Sequence, residues 1–134
     1  MKIENEFVDY NTTLALKKLG FDEPCILLYR GLDTQPVCQM GYDFKTEKNS
    51  NYDNATNYWL TVPLFSQVFN WFREKYDLDS SIALVANGYG FYIHKNRRYT
   101  NKGENYGVYI TYKEEELKCL KKLIEIVKHV KRLS

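Results

Sequence analysis

Between Leu60 and Tyr76 the chain reads LTVPLFSQVFNWFREKY, with apolar residues Leu64, Phe65, Val68, Phe69 and Phe72 recurring at steps of one, three and four. That spacing lines one face of an α-helix. Pro63 suits the first turn of such a helix, where no backbone N–H is needed. The pattern therefore predicts an amphipathic helix ending near Tyr76, its aromatic stripe turned to a core. Trp71 falls beside the stripe, at a position expected to be partly exposed.

The C-terminal segment gives a second helix. Leu117, Leu120, Ile124, Val127 and Val130 line one face, and Thr111-Tyr-Lys-Glu114 has the form of a capping box. Glu114, Glu115 and Glu116 meet the positive end of the helix dipole, and Lys128, Lys131 and Arg132 the negative end. Lys118, Lys121 and Lys122 fall on its solvated side. A third helix, Tyr10 to Leu19, is predicted from Asp9 as N-cap and from Gly20, a residue tolerant of the positive φ at a helix end.

Other stretches alternate or run apolar. Cys25-Ile-Leu-Leu-Tyr-Arg30 reads as a strand buried on both faces; Gly31 to Pro36 turns the chain, and Val37 to Phe44 alternates, giving a first hairpin. Ile82 to Ala86 and Phe91 to Lys95 flank Asn87-Gly88, the strongest short-range hairpin signal. Pairing across that dipeptide sets Ala86 opposite Tyr89, Leu84 opposite Phe91 and Ile82 opposite Ile93, leaving Ala83, Val85, Gly90, Tyr92 and His94 on the other face. A basic polar loop to Asn105 and a strand from Tyr106 to Thr111 follow. Residues 45–58, KTEKNSNYDNATNY, hold almost nothing aliphatic to offset the entropy of ordering and read as a polar, Asn-rich loop. The expected fold is α+β, one antiparallel sheet of about five strands with three helices in the order α-β-β-α-β-β-β-α. Its two helix-plus-hairpin halves hint at a duplication that no sequence repeat supports.

The length of 134 residues and mass of 15.9 kDa point to a single domain spanning 1–134. Nineteen basic residues against seventeen acidic ones leave a net charge of +2, too balanced to imply a partner held by bulk electrostatics. Nucleic acid is thereby left unsupported. No apolar run is long enough to cross a bilayer, so no membrane partner is expected and the cytoplasm is the expected location. The cysteines, Cys25, Cys38 and Cys119, are widely spaced in apolar segments and read as buried free thiols, with no metal-ligand spacing. No phosphate loop or nucleophile elbow is present, His129 lies in a basic helix, and no cofactor or catalytic residue is assigned.

The segment Asn87-Gly-Tyr-Gly-Phe-Tyr-Ile-His94 carries the remaining chemistry. Gly88-Tyr89-Gly90-Phe91 matches four successive positions of the central RNA-recognition strand, but Asn87 replaces its basic residue and His94 its last aromatic. A tight hairpin accounts for the same residues more fully. On the hairpin's second face Tyr92 and His94, with Tyr109 from the next strand and Arg97 and Arg98 from the adjoining loop, form a candidate ligand-binding cluster. The rings could stack on a flat ligand and the guanidinium groups could meet an anion. The same residues read more readily as a half-buried aromatic face with a satisfied histidine, since open sheet faces are often partly apolar.

Three segments carry a resemblance. Asn5 to Tyr10 with Leu14-Ala-Leu-Lys-Lys-Leu-Gly-Phe-Asp-Glu-Pro-Cys25, then Ser66-Gln-Val-Phe-Asn-Trp-Phe-Arg-Glu-Lys-Tyr76, then Glu116 to Lys128, together resemble a family of small proteins encoded by Bacteroidetes genomes, their prophages and phages. They cover the three helices, roughly half of the chain. The resemblance carries no activity, ligand or catalytic residue. It implies a phage-associated accessory protein in the cytoplasm of a bacterial host, and the expected function is binding, in a host-interaction or anti-defence role, to a host protein or a small nucleotide-like ligand. The alternatives are nucleic-acid binding through the Tyr- and Arg-rich second hairpin and a cryptic enzyme.

Overall fold

The computed structural model describes residues 3–23, 25, 27–30, 37–38, 59–86, 88–95, 98–103 and 111–133. They fall into two compact units, Met1–Phe65 and Ser66–Ser134.

In the first unit a short 3-10 turn, Ile3–Glu6, leads into helix α1, Tyr10–Leu19. The side chain of Asp9 caps α1, accepting from the Thr12 backbone N–H at 3.2 Å and from the Thr12 hydroxyl at 2.7 Å. At the other end Gly20 turns left-handed at φ 102, and the Phe21 N–H reaches back to the Leu16 carbonyl at 3.0 Å. Both ends of the predicted helix are thus closed by the residues expected to close them.

Three strands follow: β1, Leu27–Arg30; β2, Val37–Cys38; and β3, Trp59–Val62. They form an antiparallel sheet in the order β2-β1-β3, with Leu27 opposite both Cys38 and Val62. Leu60 and Val62 are buried, with Phe7, Tyr10, Leu14 and Leu27 packed against them. The chain just before α1 pairs with the chain just after β3, through a Phe7–Leu64 bridge and a 3.0 Å bond from the Val8 N–H to the Pro63 carbonyl. Pro63 therefore ends a strand rather than opening a helix.

The second unit begins with helix α2, Phe65–Tyr76, most of which belongs to it. Val68, Trp71 and Phe72 are buried, Trp71 among them despite its place beside the predicted stripe. Its indole meets Phe72 and Tyr76 edge-on, with ring centroids 5.0 and 5.4 Å away, so the helix buries a wider arc than steps of three and four alone define. Asp77, at φ 55, ends the helix in the left-handed region, where Asp is among the residues that tolerate it.

Strands β4, Leu78–Val85, β5, Gly88–Lys95, and β6, Arg98–Gly103, form an antiparallel meander in that order. Helix α3, Tyr112–Leu133, closes the unit. Its capping box is present: the Glu114 N–H donates to the Thr111 hydroxyl oxygen at 3.2 Å, and the Thr111 N–H to the Glu114 carboxylate at 3.4 Å. The buried stripe of α3 runs through Glu115, Glu116, Cys119, Leu120, Leu123, Ile124 and Val127, whereas Val130, predicted to belong to it, is 49% exposed.

The fold is α+β, but the predicted single sheet of about five strands is not found. The described residues form two three-stranded sheets in the element order α-β-β-β-α-β-β-β-α rather than α-β-β-α-β-β-β-α. Two of the observed strands were not expected, and β3 is the one that lengthens the order. β3 is hidden in a segment whose Pro63 pointed to a helix, and β6, RYTNKG, is polar throughout, as suits an edge strand. The suggested duplication fails on topology, since the first strand is central in one sheet and the second in the other. The Asn-rich segment 45–58, the C-terminal part of the predicted Val37–Phe44 strand and nearly all of the predicted Tyr106–Thr111 strand lie outside the described residues.

The second hairpin forms, with a shifted register. Val85 pairs with Gly88, Leu84 with Tyr89, Ile82 with Phe91 and Ser80 with Ile93, so every predicted pair is displaced by two positions. Alternation fixes which face a side chain occupies but is blind to an even slip. Gly88 is buried with φ 110, a conformation open to glycine and costly for any β-branched residue. Gly88→Val is expected to lower the unfolding free energy by about 1–3 kcal/mol. A urea midpoint equal to that of the parent would show that this backbone is not held at positive φ.

Candidate binding face

Helix α3 identifies the covered side of the β4-β5-β6 sheet. Tyr89 of β5 meets Tyr112 of α3 edge-on at 5.4 Å between ring centroids, and Phe91 and Ile93, which alternate with it, are buried. The Cys119 thiol of α3 is hydrogen-bonded to Ser80, which stands opposite Ile93 on the same face. The two aromatics that an RNA-recognition strand would hold open, Tyr89 and Phe91, thus lie on the helix side.

Tyr92 and His94 consequently point to the other face. Both are half-buried, and Ser81, directly opposite Tyr92 on β4, is exposed. Helix α3 lies on the opposite side of the sheet from that pair. His94 stands opposite Asp79, whose carboxylate accepts from the Arg73 Nε at 2.8 Å, while Arg73 Nη1 donates to Asn70 at 3.3 Å. Both partners of the Arg73–Asp79 bridge are about half exposed, so it contributes about 0–1 kcal/mol and serves mainly to fix a cation and an anion beside His94. Arg73, Asp79 and Ser81 were not legible as neighbours of Tyr92 and His94; only the observed register brings them together.

Of the remaining predicted residues, Arg98 opens β6 and pairs with Lys95, so the register does not set it opposite Tyr92 or His94. Arg97 and Tyr109 lie outside the described residues.

Helix α3 buries three further ionisable groups, Glu115, Glu116 and Cys119. Burial pushes the Cys119 thiol up to about 12, the Ser80 hydrogen bond opposes the shift, and Glu115 and Glu116 add to it. A thiol so placed does not supply thiolate at neutral pH. Cys25 is likewise a buried free cysteine. Glu116 is held by Lys113 at 3.0 Å, whereas both carboxylate oxygens of buried Glu115 have no hydrogen-bond partner. Among the described residues no cluster of His, Cys, Asp and Glu could hold a metal ion, and no helix is long and apolar enough to cross a membrane.

No family model, no curated protein and no solved structure matches the chain.

Proposed function

We propose that the protein is a non-enzymatic binding module whose ligand lies on the open face of the β4-β5-β6 sheet, against Tyr92 and His94. The observation that carries this reading is the pairing of those two rings with exposed Ser81 and with Asp79 on a face that α3 leaves uncovered. Residues two apart on a strand are nearly 7 Å apart, which gives two successive rings the reach to grip one flat group. The Arg73–Asp79 bridge at the rim offers a donor and an acceptor for the polar substituents of such a group. A nucleotide-like compound has that chemistry. Together with the resemblance of the three helical segments, this favours an accessory role in a phage- or prophage-carrying bacterium, acting on a factor of the host.

The test is a thermal-shift and calorimetric screen against cyclic and ADP-ribose-derived nucleotides, joined to an affinity capture from host lysate analysed for small molecules and proteins. A nucleotide-like ligand is expected to raise the melting temperature. Tyr92→Ala is expected to abolish that rise while the variant still unfolds in a single cooperative transition. Binding undiminished in Tyr92→Ala would move the site elsewhere, and capture of a host protein alone would replace the nucleotide with a protein partner.

A further inference from the structure

We propose that the outer edge of β4 pairs with β4 of a second copy of this chain, antiparallel across a two-fold axis, to make a symmetric dimer. Among the described residues no strand pairs with the outer edge of β4. Val85 and Gly88 close a two-residue loop as a hydrogen-bonded pair, so Val85, Ala83, Ser81 and Asp79 direct their backbone groups to β5. Those of Leu84, Ile82 and Ser80 then point outward, a row of donors and acceptors that a further strand would satisfy.

Among the described residues, the two outer strands of this sheet are built differently. β6 carries Arg98 and Lys102 and a register shift, features by which edge strands turn away additional strands. β4 has no basic residue and no register shift against β5. Its second half is Ile82-Ala-Leu-Val85, with no charge and no proline, and Leu84 is 74% exposed. Its one charge, Asp79, is already matched by Arg73.

Those features select a second copy as the occupant, because β4 is complementary to itself. With Ala83 on the two-fold axis, Leu84 of each copy stands opposite Ile82 of the other on the α3 side, and Val85 opposite Ser81 on the second face. No like charges face each other, and the outward-pointing residues are those that exchange hydrogen bonds. An isologous pairing of this kind closes at two copies, whereas joining β4 to β6 would propagate into a filament.

The register makes the proposal specific. Ala83 would meet its own copy in a non-hydrogen-bonded pair, with Cα atoms about 4.5 Å apart, within the range a disulfide spans. In a full-length chain carrying Cys38→Ser, Ala83→Cys is expected to give a covalent dimer under mild oxidation, and Ser81→Cys, which would face Val85, is not. No cross-link from Ala83→Cys, or equal cross-linking from both, overturns the pairing. By sedimentation equilibrium the parent chain is expected to dimerise with rising concentration, and Leu84→Lys, with an unchanged circular dichroism spectrum, to remain monomeric. A parent that stays monomeric, or a dimer that Leu84→Lys leaves intact, overturns it as well.

Discussion

Replacing Phe72 with alanine is expected to lower the unfolding free energy by about 3–5 kcal/mol, the cost of removing a large aromatic ring from a packed core. Phe72 is fully buried, its ring lies against Trp71 at 5.0 Å, and Tyr76 follows at 6.1 Å between centroids. Removing it deprives both neighbours of their packing, and the hydroxyl of Tyr76, buried with no hydrogen-bond partner, offers no polar anchor against collapse. Losses of this size consume much of the stability of a small domain. Chemical denaturation followed by tryptophan fluorescence measures the effect directly, since Trp71 reports on the same cluster. Arg73→Ala, one position along the helix but exposed, is the control and is expected to change stability by less than about 1 kcal/mol. Equal effects from the two variants would mean that α2 is not anchored by its aromatic side.

Replacing Glu115 with leucine is expected to act in the opposite direction, raising stability at neutral pH by about 1–3 kcal/mol, the usual cost of a buried polar group left without a partner. Glu115 is 1% exposed and neither carboxylate oxygen has a hydrogen-bond partner. Burial raises its pKa above the ordinary carboxylate value; Lys118 opposes the shift and Glu114 reinforces it. A carboxyl that binds its proton more tightly in the folded chain stabilises that chain below the unfolded pKa. The contribution is lost as pH rises through the folded value. The parent protein is therefore expected to lose stability from this group as acid solution is brought toward neutrality, and Glu115→Leu to lack that component. Urea denaturation at several pH values separates the curves. A leucine variant less stable than the parent at neutral pH would show that the carboxylate makes a favourable interaction when ionised.

Glu115 also marks where reading the sequence falls short. Three successive glutamates at a helix start match the dipole and the solvent equally well, and nothing in their order says that the second and third turn inward. The ends of α1 and α3 were legible because capping is local: Asp9, Gly20, Thr111 and Glu114 act on backbone groups within a few residues. The faces of β5 were legible for a related reason, since alternation alone separates Phe91 and Ile93 from Tyr92 and His94. Register, strand partners and sheet membership depend on distant chain. Thus each strand partner slipped by two positions, β3 went unseen beside Pro63, and β6, whose polar residues suit an edge, read as loop. The candidate face was half legible: its rings came from the pattern, while Asp79 and Arg73 came only with the pairing.

The contrast between the two strand orders bears on how the chain assembles. In the second unit each strand pairs with its immediate successor, and β4 joins β5 across a two-residue loop. In the first, the central strand β1 pairs with β3, so that Leu27 must find Val62 across a much longer stretch of chain. Closing a flexible loop costs about 0.6 kcal/mol more for each doubling of its length, and pairings distant in sequence form more slowly than near ones. The meander is the part that local contacts can nucleate. The sheet around β1 carries the greater entropic toll and, leaving the ribosome before the meander does, has to keep Leu27 and its neighbours waiting until β3 has been synthesised.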